Sequence, residues 1–166
     1  MRVLVVGAGP TGLTAAVELA RQGVIPTVID KRSGASTLSR AVGITPRSLA
    51  LLSKAGVSDR LVTEGVPMDA LCVYFGDRLA LEMRLRSEGA FFPSLLCLPQ
   101  DRTESIMADA LTSLGGTVRY GVPLKTLREE SDGVVASFAD GSTEFFEHII
   151  GADGIKSTVR RHAGIE

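Results

Sequence analysis

Six residues near the N-terminus have the composition and spacing of a phosphate-binding turn. Residues 7–12 read Gly-Ala-Gly-Pro-Thr-Gly and fit the pattern GxGxxG. In such a turn the first glycine allows a tight bend, the second lets the backbone approach a pyrophosphate, and the third lets the next helix pack closely on the strand. The N-terminus of that helix adds free N–H groups and partial positive charge. The candidate binding residues are Gly7, Gly9, Pro10, Thr11 and Gly12.

The segments around this turn predict the strand–helix–strand unit that positions it. Residues 2–6 form a Val-rich run typical of a buried parallel strand, and residues 11–22 carry apolar side chains at helical spacing. Residues 26–30 predict a second strand, which ends at Asp30, 18 residues after Gly12, where a carboxylate can bond ribose hydroxyls. The unit indicates a dinucleotide site. The alternative is a glycine-rich turn of an ordinary α/β protein, and the residues alone leave NAD and FAD both open.

Composition narrows the class of protein. The chain has 166 residues, which suits one domain, and 45% of them are hydrophobic, which is enough for a packed core. The net charge of −1 supplies no field that would attract nucleic acid or an anionic membrane. No apolar run approaches the length of about 18 residues that a membrane span requires. We therefore expect neither a nucleic-acid nor a membrane partner.

The cysteines and histidines predict no metal site. Cys72 and Cys97 match no CxxC pattern, and His148 and His162 have no metal-ligand spacing. Two cysteines in a chain of this length do not make a secreted disulfide scaffold. We expect both to be buried thiols in a reduced cytoplasm, which places the protein there.

Beyond the first unit, the sequence predicts helices, then antiparallel strands, then a return to the first sheet. Residues 31–44 have no hydrophobic period and predict a loop. Helices are predicted at 45–55, 58–64 and 100–114, with a short one from about 156, and strands at 70–75, 78–83, 94–98, 117–120, 123–130, 133–139 and 142–150. The predicted fold class is α/β.

Three further segments resemble one protein family. They are SRAVGITPRSLALLSKAGVSDRL (39–61), LPQDRTESIMADALTSLGGTVRYG (98–121) and GADGIKSTVRR (151–161). In this order after the glycine turn, they resemble the N-terminal, FAD-binding part of the FAD-dependent aromatic hydroxylases, the class A flavoprotein monooxygenases. The resemblance implies a Rossmann-like FAD-binding domain with a βαβ start and a parallel sheet plus an antiparallel strand insertion, incomplete relative to the family.

The resemblance also implies an activity. Enzymes of this family bind FAD, take electrons from NAD(P)H and use O2 to hydroxylate an aromatic or polyketide-like substrate, with the cofactor carrying the chemistry. No side chain in the 166 residues is a credible acid, base or nucleophile, so we assign no catalytic residue. The alternatives are another flavoprotein oxidoreductase on the same scaffold, such as a halogenase or a reductase, and a non-catalytic dinucleotide-binding module.

The resemblance assigns four residues to the adenosine half of FAD. Asp30 would hold the ribose, with Lys31 or Arg32 close to the adenine side. Leu124 would lie under the adenine through its backbone.

Three residues are assigned to the middle of the cofactor. Arg40 would reach the FAD phosphates or the ribityl chain, although it would otherwise be a solvated loop charge. Gln100 would bond the ribityl or phosphate region, with a helix N-cap as its alternative role. Asp153 would contact the ribityl or pyrophosphate region, and its alternative role is to cap the last helix or its turn.

The domain prediction treats residues 1–166 as one FAD-binding domain. The family's next motif would lie well beyond residue 166, and residues 70–95 would belong to the edge of a substrate domain. Because an isolated two-stranded hairpin with an apolar face is marginal in water, we expect residues 70–95 to pair with a second chain or to be the most mobile part.

Overall fold

Over the residues that the computed structural model describes, 1–35, 43–85 and 91–165, the chain forms five helices and twelve short strands. In chain order they are β1 (Val3–Val6), α1 (Pro10–Arg21), β2 (Thr27–Asp30), β3 (Gly43–Ile44), α2 (Pro46–Ser53), α3 (Val57–Glu64), β4 (Val66–Pro67), β5 (Ala70–Phe75), β6 (Arg78–Arg84), β7 (Leu96–Cys97), α4 (Gln100–Ser113), β8 (Val118–Tyr120), β9 (Leu124–Glu130), β10 (Gly133–Phe138), β11 (Thr143–Phe146), β12 (His148–Gly151) and α5 (Thr158–His162).

A four-stranded parallel sheet lies at the centre, with the strand order β12-β1-β2-β8. Alternate residues of β1 point to opposite faces, so the two faces build two cores. Val5 packs with the buried side chains of α1 and α4, whereas Leu4 and Val6 pack with Phe138 and Phe146 of the antiparallel sheet β11-β10-β9. The parallel sheet is therefore covered by helices on one face and by strands on the other, which supports the predicted fold class.

The single strand predicted over residues 142–150 is wrong, because the chain changes sheets in the middle of it. Phe146 pairs with Val134 in the antiparallel sheet, whereas His148 already pairs with Val3 in the parallel sheet. At the junction, the backbone N–H groups of residues 147 and 148 both donate to the carbonyl of Arg2. The exposed polar pair Glu147 and His148 interrupts the apolar residues at this junction, but such a pair does not show by itself that the chain changes its pairing partner.

The hairpin β5–β6 stands apart from both cores. Its two strands pair only with each other among the described residues, and Phe75 at its tip is 87% exposed. A bulge after Val73 shifts the register of the two strands, so that Tyr74 lies opposite Leu79 and Phe75 lies opposite Arg78. Cys72 is exposed on this hairpin, and the prediction of two buried thiols is wrong for it because no other strand of the described residues pairs with the hairpin.

The helices follow their sequence signals closely. The Oγ1 of Thr45 accepts a hydrogen bond from the N–H of Ser48 at 3.3 Å, so Thr45 caps α2 as predicted. Gly56, at φ +69°, separates α2 from α3. Among the described residues, none of the helices has the length and apolarity to cross a membrane.

Candidate functional site

The three glycines of the turn after β1 play different geometric roles. Gly7 has φ +103°, and a Cβ there would lie 2.3 Å from the carbonyl oxygen of Ala152. A Cβ on Gly12 would lie 1.8 Å from the carbonyl oxygen of Gly7. Gly9 is different, because its Cβ would meet only Oε1 of Glu104, at 4.0 Å. Packing therefore requires glycine at residues 7 and 12, whereas the missing side chain of Gly9 leaves unfilled space next to the backbone of the turn.

The N-terminus of α1 adds donors to that space. Gly9 is the N-cap residue and offers no side chain to the first turn, and Pro10 occupies the first helical position. The N–H groups of Thr11 and Gly12 have no acceptor within the helix, as at any helix N-terminus. The first turn contains no acidic residue, so no side chain of that turn neutralises its partial positive charge.

A cavity of about 300 Å³ lies at the carboxyl ends of β1 and β2, beside this turn. The predicted residues that line it are Gly7, Gly9, Asp30, Lys31, Arg32, Gln100, Leu124 and Asp153. A second cavity of about 390 Å³ adjoins α1 and α4, and the predicted residues that line it are Pro10, Thr11 and Gln100. Gln100 therefore borders both cavities. Arg40 lies outside the described residues.

Asp30 is held tightly at the end of β2. It is 7% exposed, and its Oδ2 accepts hydrogen bonds from the N–H of Ala8 at 2.8 Å and from Nη2 of Arg32 at 3.0 Å. Its Oδ1 accepts from the backbone N–H of Arg32 at 2.8 Å and from Nε of Arg32 at 3.1 Å. Burial acts to raise the pKa of Asp30, but these hydrogen bonds outweigh it and the pKa lies below its usual value.

A second buried carboxylate, Glu104, completes the cluster, and the sequence analysis missed it. Glu104 is 3% exposed. Its Oε2 accepts from Nη1 of Arg32 at 3.1 Å, and its Oε1 accepts from Nε2 of Gln100 at 2.7 Å. One signal was present in the sequence: Glu104 follows Gln100 by four residues and so lies on the same face of α4. A single guanidinium thus lies between two buried carboxylates, and its pKa is raised first of all by the bonds to Asp30.

The alternative role as a helix cap is wrong for Gln100 and is confirmed for Asp153. Pro99 is the N-cap of α4 and Gln100 is its first residue, so the Gln100 side chain is not a cap. The carboxylate of Asp153 does cap, because it accepts hydrogen bonds from Oγ of Ser157 and from the backbone N–H groups of Thr158 and Val159. Burial acts to raise the pKa of Asp153, but these bonds outweigh it and lower the pKa. Asp153 also lines the first cavity, so capping fixes its position there.

The connection between β8 and β9 forms the remaining wall. The backbone N–H of Gly121 donates to the carbonyl of Arg32 at 2.7 Å, and that of Val122 donates to the carbonyl of Asp30 at 3.0 Å. These bonds fix Leu124 beside the cavity on the same side as Asp30. The arrangement offers a glycine turn and a helix N-terminus to an anion, and a carboxylate–guanidinium cluster to a polar group.

Comparison with known proteins gives one family over the whole chain. The model described as "FAD binding domain" matches residues 1–166. The rifampicin monooxygenase of Streptomyces venezuelae is 34% identical over 98% of this chain and 34% of its own length. The 6-methylpretetramide 4-monooxygenase of Streptomyces rimosus is 37% identical over 99% of this chain and 30% of its own length.

Solved structures give the same result. The flavin-dependent monooxygenase PieE, in complex with FAD and substrate, matches with a TM-score of 0.87 and 27% identity, over 100% of this chain and 32% of that one. An aklavinone-11 hydroxylase in a ternary complex with FAD and aklavinone matches with a TM-score of 0.84 and 31% identity, over 98% of this chain and 34% of that one. The chain spans about a third of the length of these relatives.

Proposed function

Because the chain belongs to the FAD-binding domain family, we propose that it forms the FAD-binding part of a flavin-dependent monooxygenase. The full protein would hydroxylate an aromatic or polyketide-like substrate with NAD(P)H and O2. Similarity to monooxygenases, among them the rifampicin monooxygenase and the 6-methylpretetramide 4-monooxygenase, supports this reaction class. The reductant and the two free thiols both suit the cytoplasm, which we propose as its location.

The observation that carries the proposal is the space at Gly9. A Cβ at this residue would meet only Oε1 of Glu104, at 4.0 Å, while glycine is required at residues 7 and 12 by packing and, at Gly7, also by the positive φ. Close approach of a pyrophosphate to the backbone is the reason that a dinucleotide site needs its second glycine. The residues present therefore fit the diphosphate and the adenosine half of FAD.

The chain's own residues would bind and orient the cofactor. Bound FAD would supply the redox chemistry and the activation of O2. The N–H groups at the start of α1 would hold the diphosphate, and Asp30 would take the ribose hydroxyls. Leu124 would lie against the adenine, and Gln100 would reach toward the ribityl chain from the border of the two cavities.

Calorimetric titration with FAD, ADP and NAD tests the proposal. We expect FAD and ADP to bind more tightly than NAD. The affinities should be weak, because only the contacts of this part of the protein offset the cost of association. NAD binding more tightly than both FAD and ADP would contradict the assignment of the cofactor.

We also propose that the hairpin β5–β6 belongs to the sheet of a substrate domain in the full protein. Its paired apolar side chains are all exposed: Leu71, Val73, Tyr74, Leu79, Leu81 and Met83. Further strands of the full-length protein would cover this face and complete the sheet. Amide exchange in the full-length protein tests this, because covered strands exchange more slowly than the same strands in the 166-residue chain.

A further inference from the structure

Asp30 has no hydrogen-bonding capacity left in this structure. A carboxylate accepts about four hydrogen bonds, two on each oxygen. Asp30 accepts four: one from the N–H of Ala8, one from the N–H of Arg32, and two from the Arg32 side chain. A ribose diol can therefore bind Asp30 only if a present donor leaves. The two backbone donors are fixed by the turn and the strand end, so the donors that can leave are Nε and Nη2 of Arg32.

Glu104 is able to receive the guanidinium that Asp30 would release. Its carboxylate accepts two hydrogen bonds, one from Nη1 of Arg32 and one from Nε2 of Gln100, among the described residues. About two acceptor positions remain, and at 3% exposure water does not readily satisfy them. The charge on Glu104 also compensates the guanidinium once Asp30 is engaged elsewhere.

Arg32 is placed to move between the two carboxylates. Its side chain is 33% exposed, whereas those of Asp30 and Glu104 are 8% and 3% exposed, so the cation is the mobile member of the cluster. Nη1 already contacts Glu104, while Nε and Nη2 contact Asp30 and Nη2 also donates to the carbonyl of Ala8 at 3.0 Å. A rotation of the guanidinium about its bond to Glu104 would exchange its bonds to Asp30 and to the Ala8 carbonyl for further bonds to Glu104, so the cation stays paired while Asp30 keeps its two backbone N–H donors.

We propose that Arg32 acts as a gate on the ribose subsite: its guanidinium occupies Asp30 in the free chain and moves toward Glu104 when a ribose binds. Binding of the adenosine ribose exchanges two hydrogen bonds on Asp30, from the guanidinium to the 2′- and 3′-hydroxyls, while the guanidinium moves toward Glu104. Glu104 is thus a positioning residue that acts through Arg32. This inference rests on the proposed function, because it assumes that a ribose binds at Asp30.

The test compares ADP with 2′,3′-dideoxy-ADP, since the ratio of their dissociation constants isolates the ribose contacts. In the wild-type chain we expect dideoxy-ADP to bind about tenfold more weakly than ADP. In Glu104→Gln the side chain keeps its shape but has one acceptor oxygen and no charge, so Arg32 stays on Asp30. We expect the ratio to fall to about twofold, through weaker ADP binding and little change in dideoxy-ADP binding.

A double-mutant cycle with Arg32→Lys shows whether Glu104 acts through Arg32. A lysine cannot hold Asp30 with a two-pronged contact while it also reaches Glu104. We expect Glu104→Gln to leave the ratio unchanged in the Arg32→Lys background. The matched control is Glu64→Gln, which removes a carboxylate paired with Arg102 away from the cavity, and its ratio should equal that of the wild type.

The possible outcomes distinguish failure of the gate from failure of the proposed function. If Asp30→Ala abolishes the preference for ADP over dideoxy-ADP but Glu104→Gln leaves this preference unchanged, the gate is overturned and the proposed function stands. Equal losses of ADP and dideoxy-ADP affinity in Glu104→Gln would assign Glu104 a merely structural role and also overturn the gate. Failure of the wild-type chain to bind ADP or FAD overturns the proposed function and the gate together.

The Arg32 side chain can also be followed directly by NMR, a measurement that does not depend on the folding of Glu104→Gln. The Nε–H resonance of Arg32, assigned by its absence in Arg32→Lys, should shift on addition of ADP and should not shift on addition of dideoxy-ADP. Identical shifts with both ligands would contradict the exchange. Glu104→Asp, which keeps the charge but shortens the reach, should lower the ADP to dideoxy-ADP discrimination in the same direction as Glu104→Gln.

Discussion

Among single residues, the site depends on carboxylates whose positions are fixed by hydrogen bonds from the backbone. Asp30 and Asp153 both lie at strand or turn ends beside the cavity, and both accept hydrogen bonds from backbone N–H groups. These bonds lower the pKa of each carboxyl despite its burial. Their charge at neutral pH is therefore secured by the fold.

Asp30→Ala should weaken ADP binding more than Gln100→Ala does. Asp30 faces the adenosine half of the proposed site, and a charged acceptor to ribose hydroxyls contributes about 1.5–3 kcal/mol. Gln100 lies at the border of the two cavities, nearer to the proposed ribityl region. Calorimetric titration with ADP measures both variants. Equal ADP affinity for wild type and Asp30→Ala would refute the ribose assignment.

Asp153→Asn should destabilise the chain at neutral pH and less so in acid. The loss of a charged cap costs about 1 kcal/mol of unfolding free energy. Because the folded-state pKa of Asp153 is lowered, its contribution is complete above the unfolded pKa of about 3.9 and is lost as pH falls through the folded value. Urea unfolding from pH 7 to pH 3 measures the difference, with Asp132→Asn on an exposed turn as the control. A difference that stays constant with pH would contradict this linkage.

At the scale of elements, the turn between β1 and α1 divides its glycines between folding and binding. Gly7 and Gly12 contact each other and the start of the segment after β12, so they set the distance between the helix and the sheet. Gly9 contacts little and borders the cavity. The three glycines of the motif therefore have separable roles, one pair in packing the helix on the sheet and Gly9 in leaving space beside the cavity.

Gly9→Ala and Gly12→Ala should separate these roles. A Cβ at Gly12 would lie 1.8 Å from a backbone oxygen that cannot move aside, so we expect a loss of about 1–3 kcal/mol or more in unfolding free energy. Gly9 has φ −79° and ψ −178°, which alanine adopts freely, so its folding cost is limited to the poorer N-cap. Its methyl group would instead intrude on the diphosphate.

Thermal unfolding and ADP titration of the two variants are the measurements. Gly9→Ala should keep most of the stability and lose ADP affinity, whereas Gly12→Ala should lose stability. Unchanged ADP affinity in Gly9→Ala would show that the space beside this residue is not where the diphosphate binds.

At the scale of the whole molecule, two cores share one parallel sheet, and the hairpin β5–β6 lies outside both. The helical core and the Phe138–Phe146 core each bury their largest side chains completely. The hairpin exposes apolar side chains on a free two-stranded sheet, which is marginally stable alone and prone to association.

The 166-residue chain should therefore associate through this hairpin or exchange its hairpin amides fastest. Size-exclusion chromatography with light scattering measures the association, and Leu81→Lys should abolish any that occurs by placing a charge on the exposed face. Amide exchange measures the second outcome. A strict monomer whose hairpin amides exchange as slowly as those of β1 would contradict the prediction.

Elements whose signals lie within a few neighbouring residues are predicted correctly from the sequence. The strand–turn–helix unit, the cap at Thr45, the turn at Gly56 and the hairpin strands all follow from periodicity and turn chemistry within a few residues. The glycine motif and the family resemblance together indicated eight residues that line one cavity. Arg40 and the binding roles of the rest stay predictions.

Contacts between residues that lie far apart in the chain are set by tertiary packing and could not be predicted from the sequence. The switch of sheets at residue 147 depends on Arg2, which is 145 residues away along the chain. The cluster of Asp30, Arg32 and Glu104 joins the end of β2 to the first turns of α4, 72 residues further on. A carboxylate's partners and its remaining acceptor positions depend on such long-range packing, because burial is what removes the competing water and forces each polar group to find a donor.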